Sequence, residues 1–479
     1  MKIRLLLLLV AVPFLALCQK QGNVWYFEGQ NGIDFNSGSP VLLSDGQIPE
    51  SSNIEGTASI SDSAGNLLFY ATATIIWNKN HQVMQNGAGL SGGESSTQGV
   101  FIVPLPKSNS IFYVFTLDEM QGCFQNGLRY SIVDMCLDDS LGAVENDNKN
   151  ILLLDNAGEK MAGTFHANGT DIWLIVHKYF SDAFHAYLIT ENGIADTVIS
   201  NEGSHHPADS TIDCNQAIGQ MKISPDGSKL ALVNANAFTR SIEELFDFDN
   251  NTGIVSNVIN LQPDTSLLYY GVSFSPDNSK LYVSKSTYPY QLYQYDLSSG
   301  VSSSIVASKV SIHNSNSPIT GLQLAPNGKI YVNIGSYLDI VSSPNNIGLA
   351  CSYISVGFIL HHTLSYSLPN FIDSYKYQNQ LACTEYVPIE PPITELKVPN
   401  IFSPNADNIN DTFIIENLPT DATVHIYNRW GALVAEWNKP DGSWDGRTKG
   451  GSQVSAGVYY YIVTLPDGEQ RKGFVEVIK

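Results

Sequence analysis

MKISPDGSKLALVNA (221–235), VSFSPDNSKLYVSKS (272–286) and LQLAPNGKIYVNIG (322–335) are three copies of one unit. Each runs as an alternating apolar segment into a Pro-Asp/Asn-Gly/Asn turn and out into a second alternating segment. Proline presets φ at the first turn position, and Gly or Asn accepts a positive φ at the end, so each unit spells a β-hairpin. The prolines are Pro225, Pro276 and Pro326, a spacing of 51 and then 50 residues.

Weaker copies lie upstream: SISDSAGNLLFYAT (59–72), IVPLPKSNSIFYVFTL (102–117) and TFHANGTDIWLIVHKY (164–179). Further strands follow the hairpins, as in AFHAYLIT (183–190), IEELFDFDNNTG (242–253) and YQLYQYDLSSG (290–300). Three or four strands in every ~50 residues is the period of a β-propeller blade. Over 24–378 that period predicts about seven blades. The seventh is expected from NVWYFEG (23–29) joined to strands near 353–371, a closure that removes the exposed sheet edge. An array of β-sandwiches is the competing arrangement, because SPDG turns occur in many β proteins. Two successive periods that agree within one residue favour the ring.

Composition agrees with an all-β chain: Gly is frequent (38 of 479 residues) and 10% of residues are aromatic. The formal net charge of −21 repels phosphate backbones and excludes a nucleic-acid partner. Lys2 and Arg4 precede an apolar run over 5–17, too short to span a bilayer and built like a secretory leader. Residues 1–18 are read as a signal peptide, with small Ala16 and Cys18 ahead of a cut before Gln19. Lipidation of Cys18 is the rival reading, and bulky Leu17 disfavours it. Export permits disulfides. Cys123 with Cys136, and Cys351 with Cys383, are the pairs suggested by proximity, and Cys214 leaves the count odd. No Cys/His spacing suits zinc, so no metal site is expected.

The 19–383 propeller is followed by a Pro-rich linker, 384–397, with Pro388, Pro391 and Pro392. Such stretches are extended and lie at domain boundaries. Residues 398–479 then form a separate unit. TVHIYNRWG (423–431) and GVYYYIVTL (457–465) alternate, FVEVIK ends the chain, and Asp441-Gly442, Asp445-Gly446 and Asp467-Gly468 mark turns. A small Ig-like β-sandwich is the expected outcome.

This last segment resembles the type B sorting domain of Bacteroidetes type IX secretion, also called the gliding motility-associated C-terminal domain. The matching pieces are VPNIFSPNADNINDTF (398–413), IYNRWGALVAEW (426–437), WDGRTKGG (444–451) and AGVYYYIVTLPDG (456–468). They carry over the motif positions Phe402, Pro404, Asn405, Asp407, Asn410, Asp411, Tyr427, Asn428, Arg429, Trp430 and Gly431. Trp444, Asp445, Gly446, Gly457, Tyr459 and Tyr461 continue the set. Ala406 departs from the family's usual Gly. The resemblance implies recognition by the type IX machinery and an outer-membrane protein of the PorP/SprF type. Upstream, RYSIVDMCLDDSLGAV (129–144), MKISPDGSKLA (221–231), FDFDNNTGIVSN (246–257) and YGVSFSPDNSKLYVS (270–284) resemble propellers fused to such domains.

Other candidate sites are weaker. Asn405, Asp407, Asn410 and Asp411 crowd one loop whose oxygens suit Ca²⁺, although the spacing is not that of an EF-hand and an Asx-turn explains it equally well. His205, His206, Asp209, Asp213 and Cys214 fall in one polar stretch, and His361-His362 in another; neither has HExxH spacing. GGESSTQG (92–99) lacks the Gly-Lys-Ser/Thr of a phosphate loop and reads as a connection between blades. FDFDNNTG (246–253) reads as a strand end and turn. Trp25, Trp77, Trp173, Trp430 and Trp437 are sugar-stacking or core residues. No nucleophile elbow is present. The sequence therefore predicts an exported surface or secreted propeller that binds a protein or glycan. A polymer-cleaving hydrolase or lyase and a structural part of a gliding or adhesion apparatus are the alternatives.

Overall fold

The computed structural model describes residues 19–377 and 396–478, apart from 52–53, 207–217, 235–240, 262–267, 367, 406, 408–409, 420, 439–441 and 467. The signal peptide and most of the linker expected from sequence lie outside the described residues. The chain divides into two compact units between Ile389 and Glu390.

The larger unit is a β-propeller of seven blades, over 24–43, 57–88, 100–154, 157–206, 221–260, 269–315 and 322–359. The second and third blades are joined into one sheet by a single parallel pairing of Gln85 with Ala143. The innermost strands neighbour one another in chain order: Val24–Phe27, Thr57–Ser61, Val100–Pro104, Ala157–Phe165, Met221–Ile223, Tyr269–Phe274 and Leu322–Leu324. Successive strands of a blade pair antiparallel, as in Met221↔Leu232 and Lys229↔Asp247 of the fifth, except that Ile151–Leu154 of the third pairs with Leu128–Asp134.

The repeat turns form as their sequence dictates. Gly227, Asn278 and Gly328 take φ of 74°, 65° and 73°, a region open to Gly and tolerated by Asn. Asp226 Oδ1 accepts the Ser224 hydroxyl at 2.6 Å and the Ser228 hydroxyl and N–H at 2.8 and 3.0 Å. Asp277 does the same with Ser275 and Ser279. Core lies between blades. Trp173 and Phe184 of the fourth pack with Met221, Leu230 and Phe246 of the fifth, so a blade strand is covered on both faces and strands such as Tyr269–Phe274 are buried throughout.

Ring closure differs from the expectation. Val24–Phe27 does not join strands from the carboxy-terminal side; it pairs with Asn31–Asp34, which pairs with Val41–Leu43. Tyr353–Ile359 is instead the outer strand of the last blade, paired with Tyr337–Val341. Among the described residues the first blade is thus three-stranded. Residues after the last strand close the ring through side chains: Asn31 Oδ1 accepts the His361 and His362 N–H groups, and Glu28 accepts the Ser365 N–H at 2.7 Å and its hydroxyl at 2.9 Å.

The smaller unit is sandwich-like. A five-stranded sheet runs in the order Ile401–Phe402, Gln470–Val477, Gly457–Thr464, Thr423–Tyr427, Leu433–Trp437, and a second, two-stranded sheet pairs Phe413–Ile414 with Ser443–Trp444. Inward residues Val424, Ile426, Tyr459, Val463 and Val475 meet Phe402, Phe413 and Trp444 in one core.

Candidate functional site: the propeller axis and the carboxy-terminal loops

In the three clear repeats, the residue three positions before proline is Lys222, Ser273 or Gln323. All three are polar, all sit on innermost strands, and all are buried. Buried polar groups need partners, and here a single segment supplies many of them. Residues 370–377 follow the last blade and run among the inner strands. Asn370 N–H donates to Thr57 O (2.8 Å) and its amide to Val100 O (3.1 Å), in the second and third blades. Gln323 donates to Asp373 (2.8 Å) and accepts from Lys222 Nζ (2.5 Å), with Lys222 and Asp373 3.9 Å apart. Tyr375 donates to Leu324 O (2.6 Å), Tyr377 meets Phe165 edge-on, and Phe371 stacks on Trp25. One short segment touching the first five blades and the seventh occupies the axis.

A second buried group adjoins it. Glu159 accepts the Thr97 N–H and hydroxyl, both at 3.0 Å, and the Met120 N–H at 3.0 Å. Glu55 accepts the Tyr270 hydroxyl at 2.5 Å. Burial, then the neighbouring Glu159 charge, push the Glu55 carboxyl up to about 8, against opposing hydrogen bonds from Tyr270 and Thr97. Burial also raises Glu159 and lowers Lys160 to about 7. Glu55, Glu159, Lys160 and Asp373 carry no signal in a single sequence. The recurring polar position of the repeat, Lys222, Ser273 and Gln323, is the one sequence signal that could have led to the axis.

The candidates named from sequence are placed as follows. His206 ends the strand Gly193–His206 and stacks on His177, ring centroids 4.1 Å apart; desolvation lowers both, His177 to about 3. Asp209, Asp213 and Cys214 lie outside the described residues. His361 and His362 belong to the ring closure. GGESSTQG is a loop between blades, and its Thr97 and Gln98 are fully buried in the axis network. Trp25, Trp77 and Trp173 are core, whereas Trp430 is 84% exposed.

Cys123 and Cys136 are each disulfide-bonded, yet the pairing of one with the other does not hold. Strand Leu128–Asp134 lies between them, with Leu128 opposite Leu117 and Asp134 opposite Ile111. Cys123 N–H is tied to Met120 O at the first end, and Cys136 N–H to the Asp134 carboxylate at the other. Such a strand is roughly 20 Å long, and a disulfide needs Cα atoms about 4.4–6.8 Å apart. Cys351 is a buried free thiol, so it forms no bridge with Cys383, which lies outside the described residues.

In the smaller unit, Phe402 packs against Phe413 and Trp444, and Tyr459 meets Trp444 edge-on. Tyr461 contacts Phe413. Gly446, at φ +74°, lies where a Cβ would come within 2.8 Å of Pro404. Asn405 N–H donates to Asp411, Asp407 N–H to the Asn405 side chain, and Ser403 N–H to Asn410 O. Asn428 Oδ1 accepts the Trp430 and Ala432 N–H groups and forms a turn at Gly431. Tyr427 ends the strand Thr423–Tyr427, Gly457 starts Gly457–Thr464, and Arg429 and Asp445 lie in loops. These polar residues shape loops, and Phe402, Trp444, Tyr459 and Tyr461 fill or line a core, whereas Trp430 stands outside it.

Residues 396–477 match the CHU_C Type IX secretion signal domain. No curated protein matches the sequence. Among solved structures, the chain is similar to a putative 6-phosphogluconolactonase of Bacteroides uniformis (10% identity, 69% of this chain and 93% of that one, TM-score 0.40). It is also similar to the periplasmic gluconolactonase PpgL of Pseudomonas aeruginosa (14% identity, 77% and 97%, TM-score 0.35). PorZ of Porphyromonas gingivalis, a surface component of the type-IX secretion system, aligns at 11% identity over 95% of this chain and 74% of that one, TM-score 0.24.

Proposed function

We propose that this chain is an exported propeller binding protein, carried across the outer membrane by its carboxy-terminal domain to the cell surface or medium. The observation that carries the reading is the match over 396–477, in a unit that is compact by itself. In this reading the partners are the type IX machinery and an outer-membrane protein of the PorP/SprF type, and the propeller holds a protein or glycan. The axis is filled by the chain's own side chains, which leaves loops and blade surfaces to meet a ligand. Deleting 398–479 is expected to leave a folded propeller stranded in the periplasm. Fusing 398–479 behind a signal peptide to an unrelated reporter should carry it outside in a type IX-competent host. Normal export of the truncated chain would refute the assignment.

A polymer-cleaving enzyme is the second reading, and Glu55, raised by burial beside Glu159, is the acid–base group it would use once the site opened. It requires a polymer cleaved by the purified chain and spared by Glu55→Gln.

A further inference from the structure

The three-stranded first blade leaves a cleft of about 560 Å³ beside the second, within the size range of small-molecule sites. Its walls are fixed. Asn36 donates its amide to Gly65 O at 2.9 Å and accepts from Asn23 at 3.1 Å, which ties the first blade to the 62–66 turn of the second. At Gly65 a Cβ would lie 2.0 Å from Asn36 Oδ1, so only glycine permits this approach. On the far side the Asn78 side chain accepts the Asn80 and Gln82 N–H groups and holds the turn that carries Lys79 and Asn80. Behind the cleft, Tyr26 donates to Asp45 at 2.7 Å and stacks on Tyr70.

The lining has two chemistries. Leu43 and Leu67 are half-buried apolar side chains, and Asp34, Asn66, Lys79 and Asn80 surround them. The lining carries one carboxylate and one ammonium, and Asp45 and Asp62 stand behind it on Tyr26 and Asn66, so the cleft disfavours an anion. An amide offers a donor and an acceptor a few ångströms apart, which is the spacing of vicinal hydroxyls. Two apolar side chains packed against one cluster and accompanied by such groups suit a sugar ring, with its C–H face and its rim of hydroxyls. We infer that this cleft binds a neutral saccharide, the ring laid against Leu43 and Leu67 and its hydroxyls shared among Asp34, Lys79 and Asn80. The site deepens the binding reading above and rests on it. Export is read by the reporter fusion, so failure of one leaves the other standing.

The test titrates the purified full chain with cellopentaose, xylopentaose, mannopentaose and chitopentaose by calorimetry, with a polygalacturonate oligomer as the charged comparison. Saturable binding of at least one neutral sugar is expected. Lys79→Met and Asn80→Ala, both at exposed positions of the turn, should each weaken it about five- to tenfold, the effect of losing one good hydrogen bond. Asn314→Ala, on the sixth blade, should leave it unchanged. The inference is overturned if no neutral sugar saturates, if Lys79→Met and Asn80→Ala bind as the parent does, or if only the charged oligomer binds. It is equally overturned if what occupies the cleft is an extended peptide pairing with the Val41–Leu43 edge, seen as loss of a peptide signal on Leu42→Pro with sugars inert.

Discussion

Strand Lys280–Lys285 of the sixth blade and strand Gly457–Thr464 of the smaller unit both alternate in sequence, yet they live in different surroundings. KLYVSK is buried at every position, lysines included; Lys280 reaches Asp296 at 3.1 Å. GVYYYIVT buries Tyr459 and Val463 and leaves Tyr460 50% exposed. A blade is pressed on both faces by its neighbours, whereas a sheet of a small sandwich has one face in water. Period-2 alternation therefore reports exposure in the second case only. In the propeller, the polar side chains of an alternating strand turn into a second interior and must find partners there.

That contrast can be broken most severely at the axis. Asp373→Ala removes the carboxyl facing Lys222 and Gln323, leaving a buried ammonium unpaired, and should cost about 3–5 kcal/mol. Chemical denaturation is the measurement, and a cost below about 1 kcal/mol would mean that water replaces the lost partner. Leu281→Ala, in a strand covered on both faces, should cost about 2–5 kcal/mol. The pH dependence should be smaller and directional. Glu55 is raised by burial to about 8 from a usual carboxyl value of about 4.3. The unfolded chain therefore releases that proton first, and stability falls as pH rises between those values. Glu55→Gln should flatten this slope while keeping a partner for Tyr270, and an unchanged slope in thermal melts from pH 5 to 9 would remove Glu55 as its source. On the acid side, buried neutral His177, lowered to about 3, loses stability as pH falls below about 6.5. The smallest effect belongs to the sandwich face: Tyr460→Ser should stay within about 0.5 kcal/mol, and a cost like that of Leu281→Ala would show that face to be covered.

How much was legible follows from the same physics. The repeat turns could be read because Pro225, Pro276 and Pro326 and the residues after them fix backbone geometry locally. The smaller unit could be read because Val424 and Ile426 alternate against half-exposed His425 and Tyr427. The first blade misled because VWYF is apolar throughout and names no partner; its pairing was decided by the short connection to Asn31–Asp34. The cysteine pairing failed because thirteen residues of separation, from 123 to 136, contain a whole strand. Residues 370–377 carry no strand pattern at all. Their role depends on partners more than 200 residues away in sequence for Gln98 and Asn370, which no local pattern records. Glu55 and Glu159 were invisible for the same reason.

The segment that fills the axis also sets an order of events. It follows every blade strand, so a chain emerging from its amino end can lay down seven blades and still have a hollow hub, with Lys222 and Gln323 facing water. Only when 370–377 arrives can those groups trade water for Asp373 and for each other. The next described residues begin the domain at 396. The hub thus works as a keystone placed last, next in line to the address label. A finished ring certifies that the chain was made through to the threshold of its own export signal, and a chain broken short of that point is left with an unfilled hub and no label.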